Sequence, residues 1–346
     1  MNILILYAEV MPYNIPVFKE ITKMGYRLNV VQIDKKKLTP YKPEIEGMEL
    51  KNLSSFSSYG SFKSYCDSVN PVLIMVSEVM EKWYWKYIWR YSVKHNDIPV
   101  VCGSDAQWTG NLHNWMKKLA FRFTYGQSFT HILSAGLWQV DYATRIGFKR
   151  DQILTPLYCA NNGLYQQVDL ESKKMSFPKR FIFVGRLNPV KGIGNIIDAW
   201  DGIADKQGWK LTMIGNGDMA DEIQKHADIE LRPFMPQSEI CKLMNESGCA
   251  LIPSLYEPWG LVIHEAAAAA MPIIVSKHCG ATYKFVVNGL NGYTINENST
   301  EELKLAMLKI MNSSSSELYE MGKHSRRLSY NIQPIDVASA LVSLIK

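Results

Sequence analysis

The chain has 346 residues, 47% hydrophobic and 21% charged, with a formal net charge of +5; this is the make-up of a globular protein with a large core, not of a disordered or fibrous one. Such a length suits two domains sharing a cleft better than one compact α/β sheet. No run approaches the roughly 18 apolar residues of a membrane span, and the opening MNILILYAEV lacks the basic start and small-residue cleavage site of a signal peptide, so it reads as a first buried strand.

Six cysteines (Cys66, Cys102, Cys159, Cys241, Cys249, Cys279) are scattered with no metal-site spacing, which reads as reduced thiols in a cytoplasmic protein. The charge is uneven. Residues 1–150 hold 19 Lys and Arg against 12 Asp and Glu, and residues 151–346 hold 19 against 21. A basic first half suggests an anionic surface or substrate on that side; a solvated surface without a partner is the competing reading.

Short apolar runs alternate with amphipathic stretches, the pattern of βα units feeding parallel sheets. NILILYAEV, YRLNVVQI, PVLIMVS, IPVVCGS and THILSAG are predicted strands of a first Rossmann-like domain over residues 1–164, with PVFKEITKMG a short helix stopped by Gly25. The polar, poorly periodic stretch 165–179 reads as a linker. A second domain, 180–346, repeats the pattern with strands RFIFVGR, WKLTMIG, CALIPS and MPIIVS. Helices are predicted near 193–204, 218–227, 238–247 and 261–270, and the last helix of the chain is a candidate to pack back on the first domain. The expected fold is therefore α/β, two doubly wound domains facing across a cleft, with chemistry at the carboxyl ends of the strands.

Three stretches follow predicted strands. In FVGRLNPVKGI (183–193), Arg186 and Lys191 stand beside a helix start, where free N–H groups and a dipole worth about 0.3–1 kcal/mol favour a diphosphate; solvated surface cations are the plainer reading, and the loop is not a Walker A motif. In LTMIGNGDMADEI, Gly215-x-Gly217-x-x-Ala220 matches a dinucleotide fingerprint, but the acidic residue expected about 20 positions on is poorly supplied. In SLYEPWGLVIHE, Glu257 lies on a loop, Trp259, Gly260 and Leu261 offer N–H groups at a helix start, and Glu265 lies about one turn inside. Side chains on a helix lean toward its N-terminus, so both carboxylates flank one anion-accepting end. Carboxylates suit sugar and ribose hydroxyls, and a nucleotide sugar fits: diphosphate at the helix end, hexose at Glu257, ribose at Glu265.

In combination, GRLNPVKG, the IGNGD turn, RPFMPQSEI and EPWGLVIHE before MPIIVS resemble the retaining glycosyltransferases of family 4, with the GT-B fold; the likeness is strong over residues 180–295 and looser over the first 165. The resemblance implies that Arg186 and Lys191 hold the donor diphosphate, Glu257 contacts the transferred sugar and Glu265 the ribose. It further implies that Phe234, Met235 and Pro236 seat the base, with Gly185, Gly215 and Asn216 beside the diphosphate path. The first loop departs from the family's Gly-Gly pattern. It runs from Glu9 into Asn14-Ile-Pro-Val-Phe, which resembles a polysaccharide-assembly branch and places Asn14 on the acceptor side. Where some members carry a His in the first domain, this chain reads Gly103-Ser104-Asp105-Ala-Gln-Trp108, making Asp105 a catalytic candidate and Trp108 an acceptor-side one. Cys279 stands where a second Gly is often found.

The resemblance implies a retaining, metal-independent hexosyltransferase with no cofactor, using a UDP-sugar in preference to a GDP-sugar and a saccharide or lipid-linked saccharide acceptor in surface polysaccharide biosynthesis, such as lipopolysaccharide or capsule. No D-x-D motif appears at a strand end, and no nucleic-acid partner is expected. Residues 81–95 and 115–123 mix cations with Trp and Tyr, which suits peripheral contact with anionic lipid at the inner face of the cell membrane; the competing reading is aromatics packed in the core with cations in water. Alternatives for the whole chain are a GT-B-like nucleotide-sugar epimerase, an NAD-dependent oxidoreductase, and a non-catalytic nucleotide-sugar-binding scaffold.

Overall fold

The computed structural model describes residues 1–34, 45–77, 81–95 and 97–346, which form two units: Met1–Cys159 with Pro334–Lys346, and Ala160–Gln333. Each is built on its own parallel sheet.

The first unit's sheet comprises β1 (Asn2–Tyr7), β2 (Arg27–Gln32), β3 (Met48–Asn52), β4 (Leu73–Val76), β5 (Val100–Ser104), β6 (His131–Ser134) and β7 (Ile153–Leu154), ordered β3-β2-β1-β4-β5-β6-β7. Central strands of a parallel sheet are covered on both faces and so read as unbroken apolar runs. Ile3 to Leu6 of β1 are fully buried, with Ile3 opposite Leu28 on one side and Leu73 on the other. The helix Asn14–Lys23 buries Val17, Phe18 and Ile21 and is stopped at Gly25, whose φ of +88° disfavours other residues. The helix Pro334–Val342 packs on it through Val337 and Leu341. Within 81–95 the aromatics turn inward: Tyr84 is fully buried, its hydroxyl donating to the Val31 carbonyl at 2.8 Å, and Trp83 lies against Phe62, while Lys82, Lys86 and Arg90 are exposed.

The second unit's sheet comprises β8 (Arg180–Val184), β9 (Lys210–Ile214), β10 (Ile229–Arg232), β11 (Cys249–Ile252), β12 (Ile273–Ser276) and β13 (Gly292–Ile295), ordered β10-β9-β8-β11-β12-β13. Its core is built on Phe181, stacked on Trp209 at 4.5 Å and edge-on to Trp200. Residues 165–179 pack into this unit. Leu170 and Phe177 join its core, and the buried Lys173 donates to the carbonyls of Met244 and Ser247, each at 3.1 Å. The fully buried alanines 266–270 admit the helix Ser315–Ser329 so closely that a Cβ on Gly322 would lie 2.5 Å from the Ala270 carbonyl oxygen. No described helix is long and apolar enough to cross a membrane.

Leu341 is buried against the first unit although it lies near the end of the chain. Leu341→Ala is expected to cost about 2–5 kcal/mol through the cavity it leaves, read as a lowered urea midpoint; a change within 0.5 kcal/mol, roughly that of a surface substitution, would show that the last helix is dispensable to this core.

Candidate active site

In the second unit the strand order reverses between β8 and β11: the chain winds outward from β8 through β9 to β10, then returns to the other side of β8. The loops leaving these two strands diverge and leave a crevice at their carboxyl ends. They are tied across it by the Leu255 N–H, which donates to the Val190 carbonyl at 2.8 Å. Gly192, with φ of +73°, permits this approach, because a Cβ there would lie 2.2 Å from the Pro253 carbonyl oxygen. The result is that the Lys191 ammonium, from the β8 loop, forms an ion pair with the Glu257 carboxylate, from the β11 loop, both side chains about five-sixths buried at 16% and 15% exposure. Arg186 is exposed on the same β8 loop.

Glu257 is held from behind. Its carbonyl accepts the Gly280 N–H at 3.0 Å and that of Trp259 accepts the Ala281 N–H at 2.8 Å. Gly260 (φ +88°) then turns the chain into the helix Leu261–Ala268, whose first N–H groups face the turn that carries Glu257. The Trp259 ring is buried edge-on to Phe285, so only its backbone borders this turn.

Glu265 sits inside the same helix in a different environment. It is buried, and its Oε1 accepts from Gln237 Nε2 at 2.9 Å. Burial pushes its carboxyl up to about 7, opposed by hydrogen bonding from Tyr165 and Gln237. Neither partner was a sequence candidate. Gln237 lies in the RPFMPQSEI stretch, which carried a signal; Tyr165 lies in the polar stretch 165–179 and carried none.

The β9 and β10 loops close the crevice on one side. The Asn216 carbonyl accepts the Leu187 N–H at 2.9 Å, and its side-chain oxygen accepts the Phe234 N–H at 3.2 Å, leaving the Phe234 ring exposed and Met235 buried. Gly215 and Gly217 are explained by chain packing: a Cβ on either would lie 1.8 Å from the Gly185 carbonyl oxygen or 2.2 Å from that of Leu187. The helix that follows is only Ala220–Ile223, so this fingerprint does not present the long helix start a dinucleotide pyrophosphate uses.

The remaining candidates belong to the first unit. Asn14 donates to the Tyr7 hydroxyl at 2.8 Å, and the Tyr158 hydroxyl reaches Asp105 at 3.4 Å. Asp105 raises the titration of both Tyr7 and Tyr158, secondary to burial. Asn14 and Asp105 thus share one tyrosine-lined cluster at the carboxyl end of the sheet. Trp108 lies apart from it, edge-on to Trp115 with the Arg145 guanidinium 5.7 Å from its ring centre.

The switch point of this parallel sheet thus gathers a carboxylate–ammonium pair, an exposed arginine and a helix N-terminus. Residues 169–333 match the family model for Glycosyl transferases group 1. An uncharacterized glycosyltransferase of Methanocaldococcus jannaschii is 36% identical over 131 residues, 35% of this chain and 33% of that protein. The glycogen synthase of Mycobacterium tuberculosis is 28% identical over 177 residues, 48% of this chain and 42% of that protein. The chain thus spans less than half the length of these curated relatives. The solved structure of Anabaena Alr3699/HepE in complex with UDP and glucose matches with a TM-score of 0.72 at 15% identity, covering 99% of this chain and 98% of that one. The fold is that of the GT-B glycosyltransferases. The family model and the relatives together support glycosyl transfer.

His264, next to Glu265, is fully buried and stacked on Phe285; its Nδ1 accepts the Ala160 N–H at 3.1 Å, which assigns the proton to Nε2, facing the Ser329 carbonyl at 3.0 Å. Burial holds it down to about 4. A histidine depressed on folding contributes stability that is present above pH 6.5 and lost as pH falls toward 4. Glu265 acts in the opposite sense, its folded value being raised: its stability is full below about 4.5 and lost as pH rises through 7. Glu265→Gln is therefore expected to match wild type near pH 4.5 and to exceed it by roughly 2–3 kcal/mol at pH 8. Urea unfolding at the two pH values tests this, and equal differences at both would show that Glu265 ionises normally in the fold.

Proposed function

We propose that this chain is a retaining glycosyltransferase that moves a hexose-type sugar from a UDP-sugar to a saccharide or lipid-linked saccharide acceptor. The observation that carries the reading is the Lys191–Glu257 pair across the β8/β11 switch point. A nucleoside diphosphate sugar satisfies both partners at once. Its diphosphate takes Lys191 and Arg186 together with the N–H groups at the start of the Leu261–Ala268 helix, and its sugar hydroxyls take the Glu257 carboxylate. Glu265 accepts from the ribose hydroxyls, with Gly185, Gly215 and Asn216 beside the diphosphate and Phe234 and Met235 beside the base. The UDP and glucose in the Anabaena structure support this donor class. The Asn14-Ile-Pro-Val-Phe helix supports an acceptor in surface polysaccharide assembly.

In the reaction the bond between the anomeric carbon and the phosphate oxygen breaks, and the acceptor oxygen bonds to that carbon on the same face. The acceptor proton passes to the departing phosphate oxygen. Arg186, Lys191 and the helix N–H groups stabilise the charge that develops on the leaving diphosphate, a role fixed cations and dipoles perform without a metal. Glu257 orients the sugar through its hydroxyls. Asp105 and Asn14, in their tyrosine cluster, are assigned to the acceptor hydroxyls.

Binding of UDP, GDP, ADP and NAD in EDTA, read by thermal shift, tests the reading; a ligand at 100 times its dissociation constant stabilises the fold by about 2.7 kcal/mol. UDP is expected to respond, and a response to NAD alone would overturn the assignment. Lys191→Ala should weaken UDP about tenfold or more, since charge-assisted hydrogen bonds contribute about 1.5–3 kcal/mol. Glu257→Ala should bind UDP at least as tightly as wild type, because the carboxylate no longer competes for Lys191, yet lose transfer. UDP weakened equally by both substitutions would remove the division of roles.

The ionised Glu265 is the better hydroxyl acceptor, so donor affinity is expected to rise about tenfold from pH 6 to 8 in wild type and to stay flat in Glu265→Gln. Calorimetric titration at the two pH values checks this, and parallel profiles would take Glu265 out of the ribose site.

A further inference from the structure

The helix Ser315–Ser329 packs one side on the alanines 266–270 and carries a different chemistry on the other. Leu318, Gly322, Ser325 and Ser329 are buried, whereas Glu320, Lys323, His324, Arg326 and Arg327, with Tyr330 just beyond the helix, border a cavity of about 620 Å³. Its facing wall is the segment Val168–Glu171. Both walls belong to the second unit, and none of the loops of the β8/β11 crevice lines the cavity. Its cations outrun their partners. Lys323 pairs with Glu320 at 2.9 Å, but Arg327 is exposed and forms no ion pair among the described residues. Arg326 is partly buried. One of its Nη atoms donates to the Val168 carbonyl at 2.6 Å, while its Nε is buried with no hydrogen-bond partner among the described residues. A guanidinium left under-satisfied in this way calls for a further acceptor. Lys173 is buried nearby, and burial together with the Arg326 charge holds its ammonium down to about 7. An anion beside Arg326 relieves that repulsion.

We infer that this cavity binds a phosphate monoester that also carries hydroxyls, a small molecule of the sugar-phosphate class. Arg326 and Arg327 present forked N–H donors that match phosphate oxygens, and Lys323 stands one turn before them on the same helix. Cations in a last turn also complement the helix dipole, but that role needs no cavity and leaves the Arg326 Nε unpaired. The carboxylates of the cavity are engaged: Glu320 with Lys323, Glu171 with the Tyr319 hydroxyl, and Asp169 with the Ser172 N–H at 3.2 Å. A carboxylate keeps further lone pairs when one is used, so these three disfavour a polyanion and suit hydroxyl donors. Size points the same way. The cavity lies within the range of small-molecule sites, about 300–1,000 Å³, and is larger than inorganic phosphate alone would fill. Tyr330, 55% exposed, adds an amphipathic wall for the organic part. This inference stands independently of the glycosyl-transfer reading.

Calorimetric titration of the full chain with ribose 5-phosphate, inorganic phosphate and ribose tests it. Ribose 5-phosphate is expected to bind at least about tenfold more tightly than inorganic phosphate, and ribose to give no signal. Arg327→Ala should weaken ribose 5-phosphate about tenfold or more, with no change in melting temperature because the position is exposed. Arg326→Ala should weaken it further, and Arg326→Lys should recover only part of the loss, since an ammonium lacks the fork. Lys191→Ala, which takes a cation from the crevice, should leave this binding unchanged. Absence of ribose 5-phosphate binding, or binding untouched by Arg327→Ala and Arg326→Ala, would overturn the proposal. So would binding lost in Lys191→Ala, which places the ligand in the crevice, and so would equal affinity for inorganic phosphate, which leaves no hydroxyl recognition.

Discussion

The Lys191–Glu257 ion pair is possible only because two loops that leave neighbouring strands in opposite directions are pulled back together. Chain packing does the pulling. Gly192 lets the β8 loop press on the Pro253 carbonyl, and Gly280 lets the β12 loop press on that of Pro258, each at distances no side chain would permit. The main-chain bonds from Leu255 to Val190 and from Gly280 to Glu257 then fix the result. Everything else in the candidate site is arranged around that contact: the Gly260 turn, the helix start behind it and the exposed Arg186.

The two glutamates that frame this turn stand in different environments, Glu257 on the loop before Gly260 and Glu265 inside the helix Leu261–Ala268. Glu257 is paired with the Lys191 ammonium across the crevice. Glu265 is embedded under Tyr165 and Gln237, and burial makes its ionisation expensive. Such a group is a cost to the fold at neutral pH, where the carboxyl must either hold its proton or bear its charge away from water.

Sequence reading reached the centre of each sheet and missed its rims. Nine strands were predicted from apolar runs; the four that escaped, β3, β7, β10 and β13, are the edge strands of the two sheets. An edge strand is covered less completely, and MELKN of β3 has no fully buried residue, so the apolar run that betrays a central strand is absent there. The site behaved likewise. Residues joined by chain-local geometry, such as Glu257 and Gly260, could be read from spacing, while the pairing of Lys191 with Glu257 and the burial of Glu265 depend on contacts between segments 66 and 28 residues apart. The basic and aromatic make-up of 115–123 was legible in the sequence, whereas which face of the helix Leu112–Ala120 is turned outward is set by its packing.

One further contact bears on how such a chain is assembled. Asn162 Nδ2 donates to the Ile332 carbonyl at 3.0 Å, and His264 grips the backbone of both Ala160 and Ser329. The first and last residues of the second unit therefore meet, and they meet at the helix that bears Glu265. A segment whose ends coincide behaves as a cassette: it can be seated in, or exchanged from, a host chain through a single point of entry without redrawing either sheet. The match to the family model, residues 169–333, falls within this same segment.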